Sequence, residues 1–125
     1  MKIEIAHLPH DIIEIIYPSE VTPKDVAEYV EQLKKDIAAR GGSEWSALVD
    51  QSRLRKMPSE VVGEMARLNA YAQHNGMKRS ARVVSDPGSG LQAWRMTKAA
   101  GLTIPAKTFE LRSEALAWLE APDAD

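Results

Sequence analysis

Short apolar runs typical of β-strands alternate along the chain with longer stretches of helical periodicity. The runs IEIAH (3–7) and IIEIIYP (12–18) are rich in isoleucine and are separated by LPHD, whose proline and aspartate suit a turn, so they predict a β-hairpin. Further strands are predicted at 44–50, 79–85 and 106–111. A helical pattern follows each of these strands, as it follows the hairpin.

The first helix has the clearest start. Thr22 is predicted to be its N-cap, Pro23 takes the first helical position, and Asp25 stands where its carboxylate can accept a free backbone N–H. An apolar stripe follows at spacings of three and four, formed by Val26, Val30, Leu33 and Ile37. Gly41 is expected to end this helix.

The later helices are predicted from similar signals. Ser59 is expected to cap the second helix, and Ser113 is expected to cap the last one. A helix is also predicted from about Gly90 to Ala100, where Gly101 closes it. The apolar stripe of the second helix comprises Val61, Met65, Leu68 and Ala72.

Four strand–helix units in succession predict an α/β domain with a largely parallel sheet of about five strands in sequential order. The N-terminal hairpin adds one antiparallel strand, and the helices are expected mainly on one face. Glu14, Ser46 and Arg82 interrupt the apolar strands. Two interpretations stay open: a polar stripe across the less protected face, or strand edges that lie in solvent.

Length and composition favour one soluble domain. The 125 residues are expected to form a domain over 1–120 and a flexible acidic tail over 121–125. Cysteine is absent, which excludes disulfides, thiolate catalysis and cysteine-bound zinc and fits the cytoplasm. No stretch approaches the roughly 20 apolar residues that cross a bilayer, so no membrane association is expected.

The net charge of −2 conceals an uneven distribution. Residues 1–52 carry 5 basic and 10 acidic side chains, residues 53–107 carry 10 and 3, and residues 108–125 carry 1 and 5. These segments either neutralise one another across the folded surface or leave an anion-binding region in the middle of the chain. Nucleic acid is not an expected partner, because the chain is acidic overall and lacks aromatic residues among its arginines.

The order of LVDQSRLRKM, PSEVVGEMARLNAYAQHNG, RSARVVSDPG and FELRSEALAWL resembles the anti-sigma-factor antagonist (STAS) superfamily and its sporulation-factor-AA-like relatives over residues 12–120. In signalling members, a phosphorylated serine opens the helix after this strand, within Asp-Ser-Ser/Thr-Gly. The resemblance places Ser59 on that serine, whereas Pro58, Glu60 and Val61 depart from the motif. It implies a regulatory protein-binding module of unknown function, with Ser59 as the candidate phosphorylation position.

Parallel strand–helix units place every helix start at the carboxyl edge of the sheet, meaning the edge where the parallel strands end. Free amides there carry partial positive charge and bind anions readily. Basic residues are expected beside them: Arg53, Arg55 and Lys56 before the second helix and Arg112 before the last. The candidate site for a protein partner or anion comprises Arg53, Arg55, Lys56, Ser59, Ser89, Gly90 and Trp94. Trp94 is interpreted either as a contact residue or as packing against a neighbouring helix.

The alternative function is a small-molecule or nucleotide-binding protein, or an enzyme, that uses the loop SDPGSG (85–90). This loop lacks both the GxGxxG spacing and the lysine of a P-loop, so an ordinary strand-to-helix turn is favoured. His7, His10 and Asp11 have ligand-like spacing, but Pro9 interrupts it and a solvated turn is favoured. No catalytic residue, metal or cofactor is therefore predicted, and a homodimer is a further expectation.

Overall fold

A computed structural model describes residues 2–55, 58–85 and 103–121. The described residues form five strands: β1 (Glu4–Leu8), β2 (Ile12–Ile16), β3 (Trp45–Asp50), β4 (Met77–Val83) and β5 (Ala106–Phe109). They also form three α-helices: α1 (Pro23–Ala39), α2 (Val62–His74) and α3 (Arg112–Glu120). A short 3-10 turn, Ser59–Val61, leads into α2. The helix predicted near 90–100 lies outside the described residues, as does the tail from 122 onward.

The strands form one sheet in the order β1-β2-β3-β4-β5. β1 and β2 pair antiparallel, and each later neighbour pairs parallel, which confirms the predicted hairpin, the sequential order and the α/β fold class. The register aligns the last residues of β2 to β5 in one row: Ile16, Asp50, Val83 and Phe109. This row defines the carboxyl edge of the sheet.

The helices lie on both faces of the sheet. α1 and α2 cover one face, where Ile13, Trp45 and Met77 join the core cluster that contains residues of both helices. α3 covers the opposite face, where Ala115 and Trp118 pack against Leu48 and other strand residues. Two of the three described helices therefore share a face, as expected, but the other face is also protected.

The polar strand residues do not form a stripe. Glu14, Ser46 and Arg82 are all buried, which excludes the solvent-edge interpretation for these three side chains. Alternation along each strand places Glu14 and Ser46 on the face covered by α3, whereas Arg82 lies with Tyr29 and other residues between the sheet and the α1–α2 layer. The predicted polar stripe is therefore wrong, since its members belong to two faces.

The start of α1 agrees with the prediction in detail. The Thr22 hydroxyl accepts from Asp25 N at 3.1 Å, and the Asp25 carboxylate accepts from Thr22 N at 2.9 Å, so the two residues form a capping box. This contact lowers the pKa of Asp25, because the backbone N–H favours the charged carboxylate. Gly41 follows the helix with a φ of 60°, which glycine adopts without steric cost.

The other two predicted caps are wrong. Ser59 lies inside the 3-10 turn, and α2 begins at Val62 with no side-chain cap. Ser113 lies within the first turn of α3, whose N-cap is Leu111. Both serines precede an apolar stripe, but neither occupies the N-cap position. Ser59 lies two residues before Val61, the N-cap of α2, and Ser113 lies two residues after Leu111, the N-cap of α3.

Thr22→Ala is expected to lower the free energy of unfolding by about 1 kcal/mol, because it removes the acceptor for Asp25 N. Ser113→Ala is the matched control and is expected to change it by less than about 0.5 kcal/mol. Urea denaturation followed by circular dichroism measures both. Equal losses in the two variants would contradict the assignment of the caps.

Candidate functional site

The carboxyl edge gathers the starts of the described helices. α1, α2 and α3 each follow a strand that ends at the row Ile16, Asp50, Val83 and Phe109. Since α-helices carry partial positive charge at their N-termini, this edge of the sheet is electrostatically favourable to anions. Leu111, the N-cap of α3, is 57% exposed and adds an apolar side chain to the same edge.

The segment after β3, residues 51–55, is held in place by hydrogen bonds at the carboxyl edge. Asp50 Oδ1 accepts from Ser52 N at 2.9 Å and from Ser52 Oγ at 2.6 Å. Arg55 N donates to Ser19 O at 2.8 Å, and Ser85 Oγ donates to Ser52 O at 2.5 Å. These contacts connect the segment to the loops that follow β2 and β4.

Burial alternates along this segment and presents its cations to solvent. Leu54 is buried in the core, while Arg53 and Arg55 on either side of it are exposed. Neither guanidinium forms a hydrogen bond or an ion pair within the described part of the chain. Two cations therefore stand in solvent on a fixed backbone.

The structure describes only part of the predicted site. Arg53, Arg55 and Ser59 all follow β3 at the carboxyl edge, and Ser59 is exposed. The remaining predicted members lie outside the described residues: Lys56, Ser89, Gly90 and Trp94. Most of the alternative loop, 86–90, also lies outside them.

Arg112 is not a free cation of this edge, contrary to the expectation from sequence. Its Nε donates to Glu14 Oε2 at 2.7 Å, and a terminal guanidinium nitrogen donates to Glu14 Oε1 at 3.0 Å. This bidentate contact raises the pKa of Arg112, because it stabilises the charged guanidinium. Glu14 in an apolar strand was the available signal, since a buried carboxylate requires a partner.

A second group of polar residues, not predicted as a site, lies inside the carboxyl edge. Tyr17 follows β2, Gln51 follows β3, and Arg82 is the penultimate residue of β4. All three line a cavity of about 30 Å³ between the sheet and the α1–α2 layer. Ser80 and Tyr29 also line it, and the rings of Tyr17 and Tyr29 meet edge to face at 6.2 Å.

Burial determines the electrostatics of this cavity. It raises the pKa values of Tyr17 and Tyr29 and keeps both hydroxyls protonated. It also lowers the pKa of Arg82, although the two tyrosines partly oppose this shift. The cavity therefore presents a desolvated guanidinium beside neutral hydroxyls.

The histidines near the hairpin turn have separate partners. His7 Nε2 lies 3.3 Å from Asp36 Oδ2, and His10 Nε2 lies 3.8 Å from Glu120 Oε2. Asp11 pairs with Arg40 at 2.7 Å. The described ranges contain no group of three or more acidic or histidine side chains that could hold a metal ion.

In the same ranges, none of the helices has the length and apolar character needed to span a membrane.

A SpoIIAA-like family model matches residues 12–120, which confirms the resemblance seen in the sequence. The fold is similar to that of a crystal structure at 2.25 Å resolution of an uncharacterised DUF3478-family protein with a SpoIIAA-like fold from Shewanella loihica PV-4. That match has a TM-score of 0.67 and 23% sequence identity, and covers 94% of this chain and 91% of the other. No curated protein shows significant sequence similarity.

Arg112→Ala is expected to lower the free energy of unfolding by about 2 kcal/mol, because it leaves the buried Glu14 carboxylate without its cation. Lys35→Ala, which breaks the exposed Glu31–Lys35 pair, is the control and is expected to cost less than about 0.5 kcal/mol. Urea titration of both variants tests the difference. A loss for Arg112→Ala as small as that of the control would contradict a stabilising role for the Glu14–Arg112 pair.

Proposed function

The chain belongs to the SpoIIAA-like family, and we propose that it is a non-enzymatic regulatory module that binds an acidic or phosphorylated segment of a protein partner at the carboxyl edge of its sheet. The observation that carries this proposal is the pair of exposed guanidinium groups on Arg53 and Arg55, which have no partner in the described chain. The buried Leu54 between them fixes the direction in which they project.

Charge and rigidity both support an anionic partner. Arg53 and Arg55 can pair with incoming carboxylates or phosphates without first breaking an internal ion pair, so binding avoids that cost. Hydrogen bonds that Ser19, Ser52 and Ser85 accept or donate already order the backbone of the segment, which reduces the entropy lost on binding. The exposed Leu111 can add an apolar contact at the edge of such an interface.

Arginine suits this role better than lysine does. Its planar guanidinium donates two parallel hydrogen bonds to a carboxylate or a phosphate, which gives orientation as well as attraction. A protein partner also supplies more contact area at this exposed edge than a free metabolite does. The small-molecule alternative at residues 85–90 rests mainly on residues outside the described ones and gains no further support. A homodimer likewise stays a prediction.

Arg53→Glu together with Arg55→Glu is expected to abolish binding of the partner, because an acidic segment would then meet like charge. The measurement is affinity capture from the native cell extract with quantitative mass spectrometry, followed by crosslinking of the retained proteins. We expect a small set of proteins to be retained by the wild type and lost from the double variant, with crosslinks from residues 51–59 to acidic or phosphorylated segments.

Lys34→Glu together with Lys35→Glu provides the matched control, since it makes the same change in net charge on the exposed side of α1. It is expected to retain the partners that the wild type retains. Identical retention by all three proteins, or equal losses in both double variants, would contradict binding at the carboxyl edge.

Ser59 is proposed as a regulatory phosphorylation position on the same edge. A phosphate adds about −1.5 to −2 charges at neutral pH. On this edge it would compete with an acidic partner for the arginines. Ser59→Asp is expected to weaken retention of the captured partner several-fold, while Ser59→Ala retains it at the wild-type level. Equal retention by the two variants in the same capture assay would argue against regulation through charge at this position.

A further inference from the structure

The cavity inside the carboxyl edge combines polar side chains from three neighbouring parallel strands. The register places Ile15, Val49 and Arg82 side by side, and Tyr17 and Gln51, the first residues after β2 and β3, lie on the same face two residues beyond Ile15 and Val49. Tyr17, Gln51 and Arg82 therefore converge from separate strands. From this convergence we infer that the cavity is a binding site for the carboxylate group of a small organic acid.

Arg82 is the first reason. The residue is 4% exposed, yet its guanidinium neither donates a hydrogen bond to a described residue nor pairs with a described carboxylate. A buried charge without a partner is strongly unfavourable, so proteins normally pair such groups. A bound anion would supply the missing partner.

The other arginines beside the sheet show what pairing looks like in this protein. Arg112 has the bidentate contact with Glu14. Arg79, on the same strand as Arg82, donates to Trp118 O at 3.0 Å and to Ala121 O at 2.7 Å. Arg82 differs from both in being the most deeply buried of the three and in having no acceptor within the described chain.

Gln51 is the second, independent reason. It is completely buried, and neither its Nε2 nor its Oε1 forms a well-aligned hydrogen bond within the described part of the chain, although the Tyr17 hydroxyl lies close enough to interact with it. Leaving both ends of a buried amide unpaired is costly and rare in native proteins. The Nε2 group can donate to the same anion as Arg82, while the hydroxyl of Tyr17, now 3.6 Å from the weak acceptor Met65 Sδ, supplies a further donor.

The dimensions of the cavity restrict the ligand. Its volume of about 30 Å³ is roughly two to three times the space that one buried water needs, so it suits an ion the size of formate or acetate, whereas a nucleotide or a sugar phosphate does not fit. The planar fork of a guanidinium matches the two oxygens of a carboxylate. Apolar residues on the remaining wall, including Leu33, Trp45 and Leu68, suit the short alkyl group of a monocarboxylate such as acetate.

The test is isothermal titration calorimetry with sodium formate, acetate and propionate, with ionic strength held constant. The wild type is expected to bind one equivalent of at least one of these monocarboxylates saturably. Arg82→Met is expected to abolish binding, and Gln51→Leu is expected to weaken it by at least tenfold. Both substitutions replace a buried polar side chain with an apolar one of similar volume, so the variants are expected to fold, which urea denaturation checks.

Lys78→Gln is the control, because it removes an exposed cation at the start of β4, far from the carboxyl edge, and should leave carboxylate affinity unchanged. Sodium chloride and sodium phosphate serve as competing anions. The inference is overturned if none of the three acids binds saturably, if binding survives in folded Arg82→Met, or if chloride or phosphate binds as tightly as the carboxylates. Acetate labelled with ¹³C at its methyl group would also overturn the inference if it showed no nuclear Overhauser effect to the ring protons of Tyr17 or Tyr29.

Discussion

The common register of the parallel strands is the constraint on which the rest of this structure depends. Because Ile16, Asp50, Val83 and Phe109 are paired in one row, the segments that follow these strands all emerge at one edge. Side chains beyond that row alternate between the interior and the surface. The segment after β3 shows this most clearly, since Gln51 and Leu54 are buried while Arg53 and Arg55 are exposed.

The buried charges show how the sheet tolerates polar residues on both faces. On one face, the Glu14 carboxylate is neutralised by Arg112 at the start of α3, which links β2 to the last described helix. On the other face, Arg82 faces the tyrosine pair and has no carboxylate in the described chain. The Glu14–Arg112 contact thus fixes the position of α3. The Arg82 guanidinium, by contrast, requires a hydrogen-bond acceptor from a bound ligand.

The sequence predicted those parts of the fold that depend on local signals. The hairpin, the order of the strands and the start of α1 at Thr22 follow from β-branched runs, a proline-containing turn and a capping sequence, each of which acts over a few residues. The caps assigned to Ser59 and Ser113 were wrong, because a hydroxyl near an apolar stripe does not fix which residue enters the helix first. The position of α3 on the second face depends on long-range packing around Trp118, which periodicity does not report.

The candidate site was predictable only in its outer part. Exposed arginines after a strand are visible in the sequence, whereas the partner of Arg112 lies 98 residues away at Glu14. The inner cavity depends on three residues that are far apart in the chain and share one face only because of the strand register. Arg82 visibly interrupts an apolar strand in the sequence, but the face on which it lies follows only from its register with the neighbouring strands.

The most direct test of this account is the environment of the Arg82 side chain, measured by NMR on protein with ¹⁵N-labelled arginine. We expect its Nε–H proton to exchange slowly with water and to show nuclear Overhauser effects to the ring protons of Tyr17 or Tyr29. Rapid exchange, together with the absence of effects to either ring, would place the guanidinium in solvent and contradict the buried convergence of polar groups at the carboxyl edge.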